Sequence, residues 1–140
     1  MIHDIAAGLA AAMSTVDGLR TSAHPVEVVS ATPLATVQLA GIDYHQSFGN
    51  ASLSGLAAIR WQVDVIVGRV ALRATTESLE QLVDHTGTRY TSVVAAIEAD
   101  KTLGGVCSTL IVQRVSSVGA TAVGDDSYLV ARLEVLTYGE

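Results

Sequence analysis

The chain has 140 residues, enough for one domain spanning 1–140 that buries roughly two-thirds of its unfolded surface. Hydrophobic residues make up 49% and aromatic residues only 4%, so aliphatic side chains must build the core, which favours a sheet with small-residue helices. The net charge of −6 argues against binding to phosphate groups, which needs clustered lysine and arginine, and the single cysteine excludes a CxxC metal site.

The first part of the chain predicts one amphipathic helix and then extended segments. The helix runs from Asp4 to about Val16, with Asp4 as its cap, and Asp17-Gly18 ends it. The segment from Leu19 to Val29 is predicted to be extended, and Leu34 to Leu39 alternates as a strand. From Ala40 to Arg60 the chain is rich in Gly, Ser and Asn, which predicts a long loop.

A strand and two helices are predicted next. The strand from Trp61 to Val67 alternates apolar and polar residues, which predicts one buried face. Thr75 or Thr76 is expected to cap a helix that Gly87 closes. A second helix follows from about Thr91 to Asp100, and its apolar residues share one face.

Two long strands complete the predicted elements. Gly104-Gly105 breaks the chain before a strand from Cys107 to Val118 and another from Tyr128 to Tyr138, with turn chemistry at 124–126. Ten residues at ~3.3 Å each would reach about 33 Å, more than the expected radius of gyration of about 14 Å. The small, polar stretch from Ser116 to Asp126 suggests a flexible arm, and the long hairpin suggests a sheet shared with neighbouring subunits.

This order of elements predicts an α+β fold. A mostly antiparallel sheet would carry the amino-terminal helix and the central helix pair, and the long carboxy-terminal hairpin would extend the sheet. The first basic residue is Arg20 and the apolar segment from Ile5 to Met13 is too short to cross a bilayer, so neither a signal peptide nor membrane insertion is expected.

The sequence offers no motif for catalysis. The four histidines lack the one-turn spacing of metal ligands on a helix, so no metal site is expected. The run from Gly49 to Gly55 lacks the Gly-x-Ser-x-Gly elbow, and Gly104-Gly105 lacks the continuation of a phosphate loop. A lone thiol such as Cys107 is typical of a small core residue. We therefore expect no catalytic residue and no cofactor, and the chain is not expected to be an enzyme.

Surface contacts are the remaining functional signal. Aromatic residues in the long loop either contact partners or pack on their own domain, and the hairpin tip combines apolar residues with turn-forming acids. The candidate contacts between subunits or with partners are Tyr44, His45, Phe48, Val118, Val123, Asp125 and Asp126.

Taken in order and spacing, several short segments give the chain a resemblance to a known family. It resembles the tail terminator proteins of long-tailed bacteriophages of siphovirus type, especially those infecting actinobacteria, and more distantly the lambda tail terminator. The segments that carry the resemblance are Gly18-Leu19-Arg20, Ala40-Gly41-Ile42-Asp43-Tyr44, Phe48-Gly49, Trp61 to Val67, Ala96-Ile97-Glu98-Ala99-Asp100, Thr102-Leu103-Gly104-Gly105 and Tyr128-Leu129-Val130-Ala131.

The resemblance implies a structural virion protein. Such proteins form a hexameric ring that docks on the last ring of the tail tube protein, stops tube growth, and offers a face to the head-side connector or stopper protein. DNA would pass through the lumen without sequence-specific binding. The implied location is the neck end of the tail in the virion, after assembly in the cytoplasm of the host bacterium.

Other functions are compatible with the same sequence. The chain could be another neck or tube component, such as a stopper, a head-completion protein or the tail tube subunit, because tube and terminator proteins share their architecture. It could also be a small cytoplasmic binding module that acts as a monomer or dimer, or an enzyme with an unrecognised site.

Overall fold

The computed structural model describes residues 2–24, 33–44, 57–69, 73–88, 90–107, 109–123 and 126–139. Within these ranges the chain forms three helices and five strands. In chain order they are α1 (Ile2–Met13), β1 (Arg20–Ser22), β2 (Leu34–Tyr44), β3 (Ala57–Arg69), α2 (Arg73–Leu82), α3 (Val93–Glu98), β4 (Thr109–Val123) and β5 (Asp126–Gly139).

The five strands form one sheet in the order β1-β2-β3-β5-β4. The short β1 lies parallel to β2, and every other neighbouring pair is antiparallel. The α+β fold with a mostly antiparallel sheet is therefore confirmed. None of the helices in the described ranges has the length and apolar character needed to cross a membrane.

The helices cover one face of the sheet and form the main core with it. Ile5, Leu9 and Met13 repeat at four-residue spacing on α1 and are fully buried. They belong to the same hydrophobic cluster as Val63 of β3 and Leu133 of β5, which are also fully buried. Burial of each such side chain stabilises the fold by about 1.5–3 kcal/mol. We call this side of the sheet the helix-covered face.

The opposite side of the sheet, which we call the second face, carries a smaller apolar cluster. Leu34, Ile66, Tyr128 and Val130 are all buried there and form a cluster of their own. Successive side chains of a strand point to opposite faces, so Ile66 and Val130 cannot join the core beneath the helices. The expectation that the Trp61 strand has only one buried face is therefore wrong at its Ile66 end.

Both ends of the first helix differ from the sequence prediction. α1 begins at Ile2, so Asp4 lies in its first turn and is not the cap, although its charge still complements the helix dipole there. The helix ends at Met13, because Val16 N donates to the Met13 carbonyl at 3.0 Å in a tighter turn. Of the segment predicted as extended at 19–29, the described part is strand only over Arg20–Ser22, and 25–29 lie outside the described residues.

The predicted loop from Ala40 to Arg60 is wrong at both ends. β2 continues to Tyr44 and β3 begins at Ala57, and these two residues pair with each other. The register shifts between Leu39 and Gly41, so Ala40 is an extra residue in β2. A bulge reverses the alternation of side chains, which explains why the strand pattern was lost at this point. The positions 45–56 lie outside the described residues.

The central helices are placed as expected, but their predicted ends are not. α2 begins at Arg73, so Thr75 and Thr76 lie within it and cannot be its cap. α3 is shorter than predicted and begins at Val93. Ser92 is its cap: the Ser92 Oγ accepts a hydrogen bond from Ala95 N at 3.4 Å. The predicted apolar face of this helix is confirmed, since Val93, Ala96 and Ile97 are all buried.

The final hairpin is longer than predicted and has irregular pairing. β4 starts at Thr109, two residues after Cys107, and stays paired with β5 as far as Val123. The interpretation of Ser116 to Asp126 as a flexible arm is therefore wrong for its first eight positions. β4 also contains two register shifts, which leave Gln113 and Ser116 as extra residues. The break before the strand is confirmed, because Gly104 and Gly105 adopt φ angles of 75° and 97°.

Candidate functional site

The residues predicted as contacts do not form one site in the described part of the chain. Tyr44 ends β2 beside the pair Ala57 and Gly139 at one end of the sheet. Val123 pairs with Asp126 at the other end of β5, about 40 Å away at ~3.3 Å per residue. Val118 lies on β4 and is 53% exposed. The predicted contacts His45, Phe48 and Asp125 lie outside the described residues.

Two histidines that are distant in the sequence, His3 and His24, lie next to each other in the structure. The rings of His3 and His24 stack with their centroids 6.2 Å apart and their planes 20° from parallel. Stacked parallel rings aim their nitrogen lone pairs side by side, which is poor geometry for holding one metal ion. Among the described residues there is no group of three or more side chains that could ligate a metal.

The single cysteine is buried at the end of the turn that precedes β4. The Cys107 thiol donates to the Lys101 carbonyl at 3.6 Å. Burial raises the pKa of this thiol, and the negative charge of Asp100 raises it further. A reactive cysteine needs the opposite shift, since the thiolate is the nucleophile. Cys107 thus fits the role of a small core residue.

β4 forms a long edge of the sheet. It has 15 residues and comes last in the strand order, so no described strand pairs with its outer side. Ile111 is 47% exposed and Val118 is 53% exposed, which makes them two of the large exposed apolar residues in the described ranges. Among the described residues, the edge therefore combines apolar side chains with backbone groups that pair with no other strand.

A band of charged and amide side chains crosses the second face from β2 to β4. We call it the polar band, and its closest contacts join neighbouring strands. Arg132 Nε lies 3.0 Å from Asp64 Oδ1, Arg114 is hydrogen-bonded to Glu134, and Arg60 lies 3.5 Å from Asp43. The hydrogen bond from Arg114 to Glu134, with the charge of that carboxylate, raises the pKa of the guanidinium. Its members are Asp43, Arg60, Gln62, Asp64, Arg114, Arg132 and Glu134.

A cavity of about 180 Å³ opens within the polar band. The central strands contribute Arg60 and Gln62 from β3 and Arg132 and Glu134 from β5. The flanking strands contribute their extra residues, which are Ala40 of β2 and Gln113 and Ser116 of β4. This site is not predictable from the sequence: Gln62 and Asp64 alternate visibly with the apolar residues of their strand, but Arg60 falls in the predicted loop and the residues opposite on the neighbouring strands are not marked by any local pattern.

No protein-family model matches the chain, and no curated protein sequence matches it either.

Proposed function

We propose that this chain is a structural virion protein that caps the tail tube of a long-tailed bacteriophage as a hexameric ring. The ring would end tube polymerisation and present a docking face to the head-side connector or stopper. The observation that supports this proposal best is the long edge strand β4, because a ring subunit must offer surfaces that continue into its neighbours. The number six comes from the family resemblance.

β4 lacks several of the features that prevent an edge strand from pairing with another chain. Proteins that stay monomeric shorten such strands, or place lysine or proline in them. β4 is 15 residues long and contains neither lysine nor proline. Its one charged residue, Arg114, bonds across to Glu134 on the neighbouring β5. The two bulges at Gln113 and Ser116 bend the strand, yet they leave paired stretches on both sides.

The apolar residues of this edge support a polypeptide partner. Ile111 pairs with Leu136 on the second face, whereas Val118 pairs with Ala131 on the helix-covered face. A chain lying along the outer side of β4 would cover both side chains and pair with the backbone groups that no described strand contacts. In a ring the contact must join two different surfaces of the subunit, because a two-fold contact closes at a dimer.

The charge of the chain is compatible with DNA passing through the proposed ring. The net charge is −6, and the arginines of the polar band at positions 60, 114 and 132 each lie beside a carboxylate. Paired guanidinium groups attract phosphate less than free ones, so DNA would not be held during passage. A strongly basic lumen in the assembled ring would contradict this part of the proposal.

Mixing the purified chain with tail tube subunits tests the proposed function. A terminator should produce short tubes that carry one extra ring at an end, and electron microscopy of the tube ends would show it. Longer tubes that incorporate the chain along their length would instead identify a tube subunit. Tubes of unchanged length with bare ends would refute the capping role.

A substitution on the edge strand tests whether β4 carries the assembly. Val118→Lys places a charge on an exposed edge position, so it should abolish capping while leaving the fold intact. Ala7→Lys adds the same charge at an exposed position on α1 and is the matched control. Capping that survives Val118→Lys would assign the ring contact to another surface.

A further inference from the structure

The cavity of the polar band is produced by bulges that fall at the same level of the sheet. β3 and β5 pair without interruption from Ala57 to Ile66. The strands on either side of this pair each carry extra residues opposite its middle, one at Ala40 and two at Gln113 and Ser116. Bulges bend strands and re-aim side chains, and they are frequent beside binding sites. Here they surround one concave polar surface on both sides.

Arg60 is held above the backbone of β2 at the border of this cavity. A Cβ atom on Gly41 would lie 3.1 Å from Arg60 Nη2, so the glycine makes room for the guanidinium. The two contacts with Asp43 are both 3.5 Å, from Nη2 and from Nε. Such contacts are longer than the 2.7–2.9 Å typical of a strong guanidinium–carboxylate hydrogen bond. The Arg60 guanidinium thus lies close to Gly41 but makes only long contacts with Asp43.

The other walls of the cavity are fixed more firmly. Arg132 Nε bonds to Asp64 at 3.0 Å, and Ser116 Oγ donates to the Arg132 carbonyl at 3.3 Å. Glu134 is engaged by Arg114. Two arginines and one glutamate line the cavity. Each of the three is paired with an oppositely charged residue of the polar band, so these charges balance. Gln62 and Ser116 already donate to neighbouring groups, and Gln113 adds a further amide to the lining.

We infer that this cavity binds a carboxylate group, with Arg60 as its anchor. An incoming carboxylate can make a short, bidentate contact with Arg60 in place of the two 3.5 Å contacts with Asp43. The volume of about 180 Å³ corresponds to roughly six water molecules, which suits a small carboxylic acid or one acidic side chain of another polypeptide. The site lies on the second face, and its chemistry does not depend on the proposed ring.

Succinate is the probe for this site, followed by NMR on the ¹⁵N-labelled full chain at about 0.15 M ionic strength, where distant surface charges are screened. Saturable shifts should appear at the Nε–Hε groups of Arg60 and Arg132. Arg60→Gln should weaken binding about tenfold, since it removes the charge-assisted contact. Gly41→Ala should weaken it less than Arg60→Gln does, because the new Cβ would lie 3.1 Å from Arg60 Nη2 and shift the guanidinium only slightly.

Arg20→Gln is the matched control, because it removes the same charge from an exposed residue that belongs to neither the cavity lining nor the polar band. Its affinity for succinate should stay within about twofold of the original, as expected for a screened surface charge. Far-UV circular dichroism would verify that each variant is folded. Equal weakening by Arg60→Gln and Arg20→Gln would overturn the inference, as would the absence of saturable shifts.

Two further probes define the ligand. Sulfate that binds as tightly as succinate would indicate a general anion effect and would overturn the assignment to carboxylates. N-acetylglutamate amide, compared with the corresponding glutamine compound, mimics an acidic side chain. Selective binding of the glutamate compound would identify a polypeptide ligand, whereas binding of succinate alone would identify a small free acid, and both results support a carboxylate site.

Discussion

The buried hydrogen bond between Trp61 and Thr137 should contribute measurably to stability. Trp61 Nε1 donates to Thr137 Oγ1 at 3.0 Å, and the hydroxyl in turn donates to the Ile59 carbonyl at 3.4 Å. Trp61 is 2% exposed and Thr137 is fully buried, so water cannot replace either partner. The bond joins β3 to β5 across the middle of the sheet.

Thr137→Val tests this bond with little change of shape. Valine keeps the branched side chain but leaves the indole N–H of Trp61 buried without an acceptor. An unpartnered buried donor costs about 1–3 kcal/mol, so the free energy of unfolding should fall by ~2 kcal/mol. Trp61→Phe removes the donor and part of the ring, and the lost packing should cost about 2–3 kcal/mol.

The two substitutions together should cost less than the sum of their separate effects. In the double variant no donor is left unpartnered, so we expect a coupling of ~1 kcal/mol or more. Urea denaturation followed by far-UV circular dichroism is the suitable assay, because Trp61 is the only tryptophan. Thr137→Val and Arg114→Gln serve as the control pair, because Arg114 bonds to Glu134 and not to Thr137. Their effects on the free energy of unfolding should simply add. If the effects of Thr137→Val and Trp61→Phe also add to within ~0.3 kcal/mol, the two residues are not coupled, and the proposed contribution of their hydrogen bond is refuted.

Three more predictions concern turns and helix ends. Ser92→Ala removes the buried cap of α3 and should lower the free energy of unfolding by about 1–2 kcal/mol in urea, and an unchanged value would contradict the capping role. Gly105→Ala places a side chain at φ 97° and should cost about 1 kcal/mol or more, whereas Gly119→Ala meets open space and serves as its control. Hydrogen bonds from the backbone of Thr102 and Gly104 lower the folded pKa of Asp100, so its stabilising effect is present above the usual pKa of 3.8 and is lost as pH falls through the lowered value. Asp100→Asn should therefore flatten the loss of stability in acid, and an identical pH profile for both proteins would contradict this.

Local patterns predicted the elements whose signal is regular. The four-residue spacing of Ile5, Leu9 and Met13 identified α1, and the alternation around Val63 and Leu133 identified two central strands. These patterns work because burial on one face imposes the period of the element on the sequence. The same reasoning located the glycine break at 104–105, where the backbone needs positive φ angles.

Features that depend on pairing between distant strands were not predictable. The extra residue Ala40 reverses the alternation in β2, so the strand reads as a loop beyond it. The partners Trp61 and Thr137 are 76 residues apart in the chain, and nothing local marks them as neighbours. The polar band has the same origin, since Arg132 and Asp64 meet only because β3 and β5 pair in one particular register.

The strand order also constrains how the chain can fold during synthesis. β3 lies in the middle of the sheet, yet its partner β5 follows every other strand in chain order. The β4–β5 hairpin can form from local contacts, but joining β5 to β3 requires closing the long connection at positions 70–125, which is slow. Until then one edge of β3 stays uncovered. We therefore expect folding to be completed only after β5 has left the ribosome, in a late step that is sensitive to aggregation.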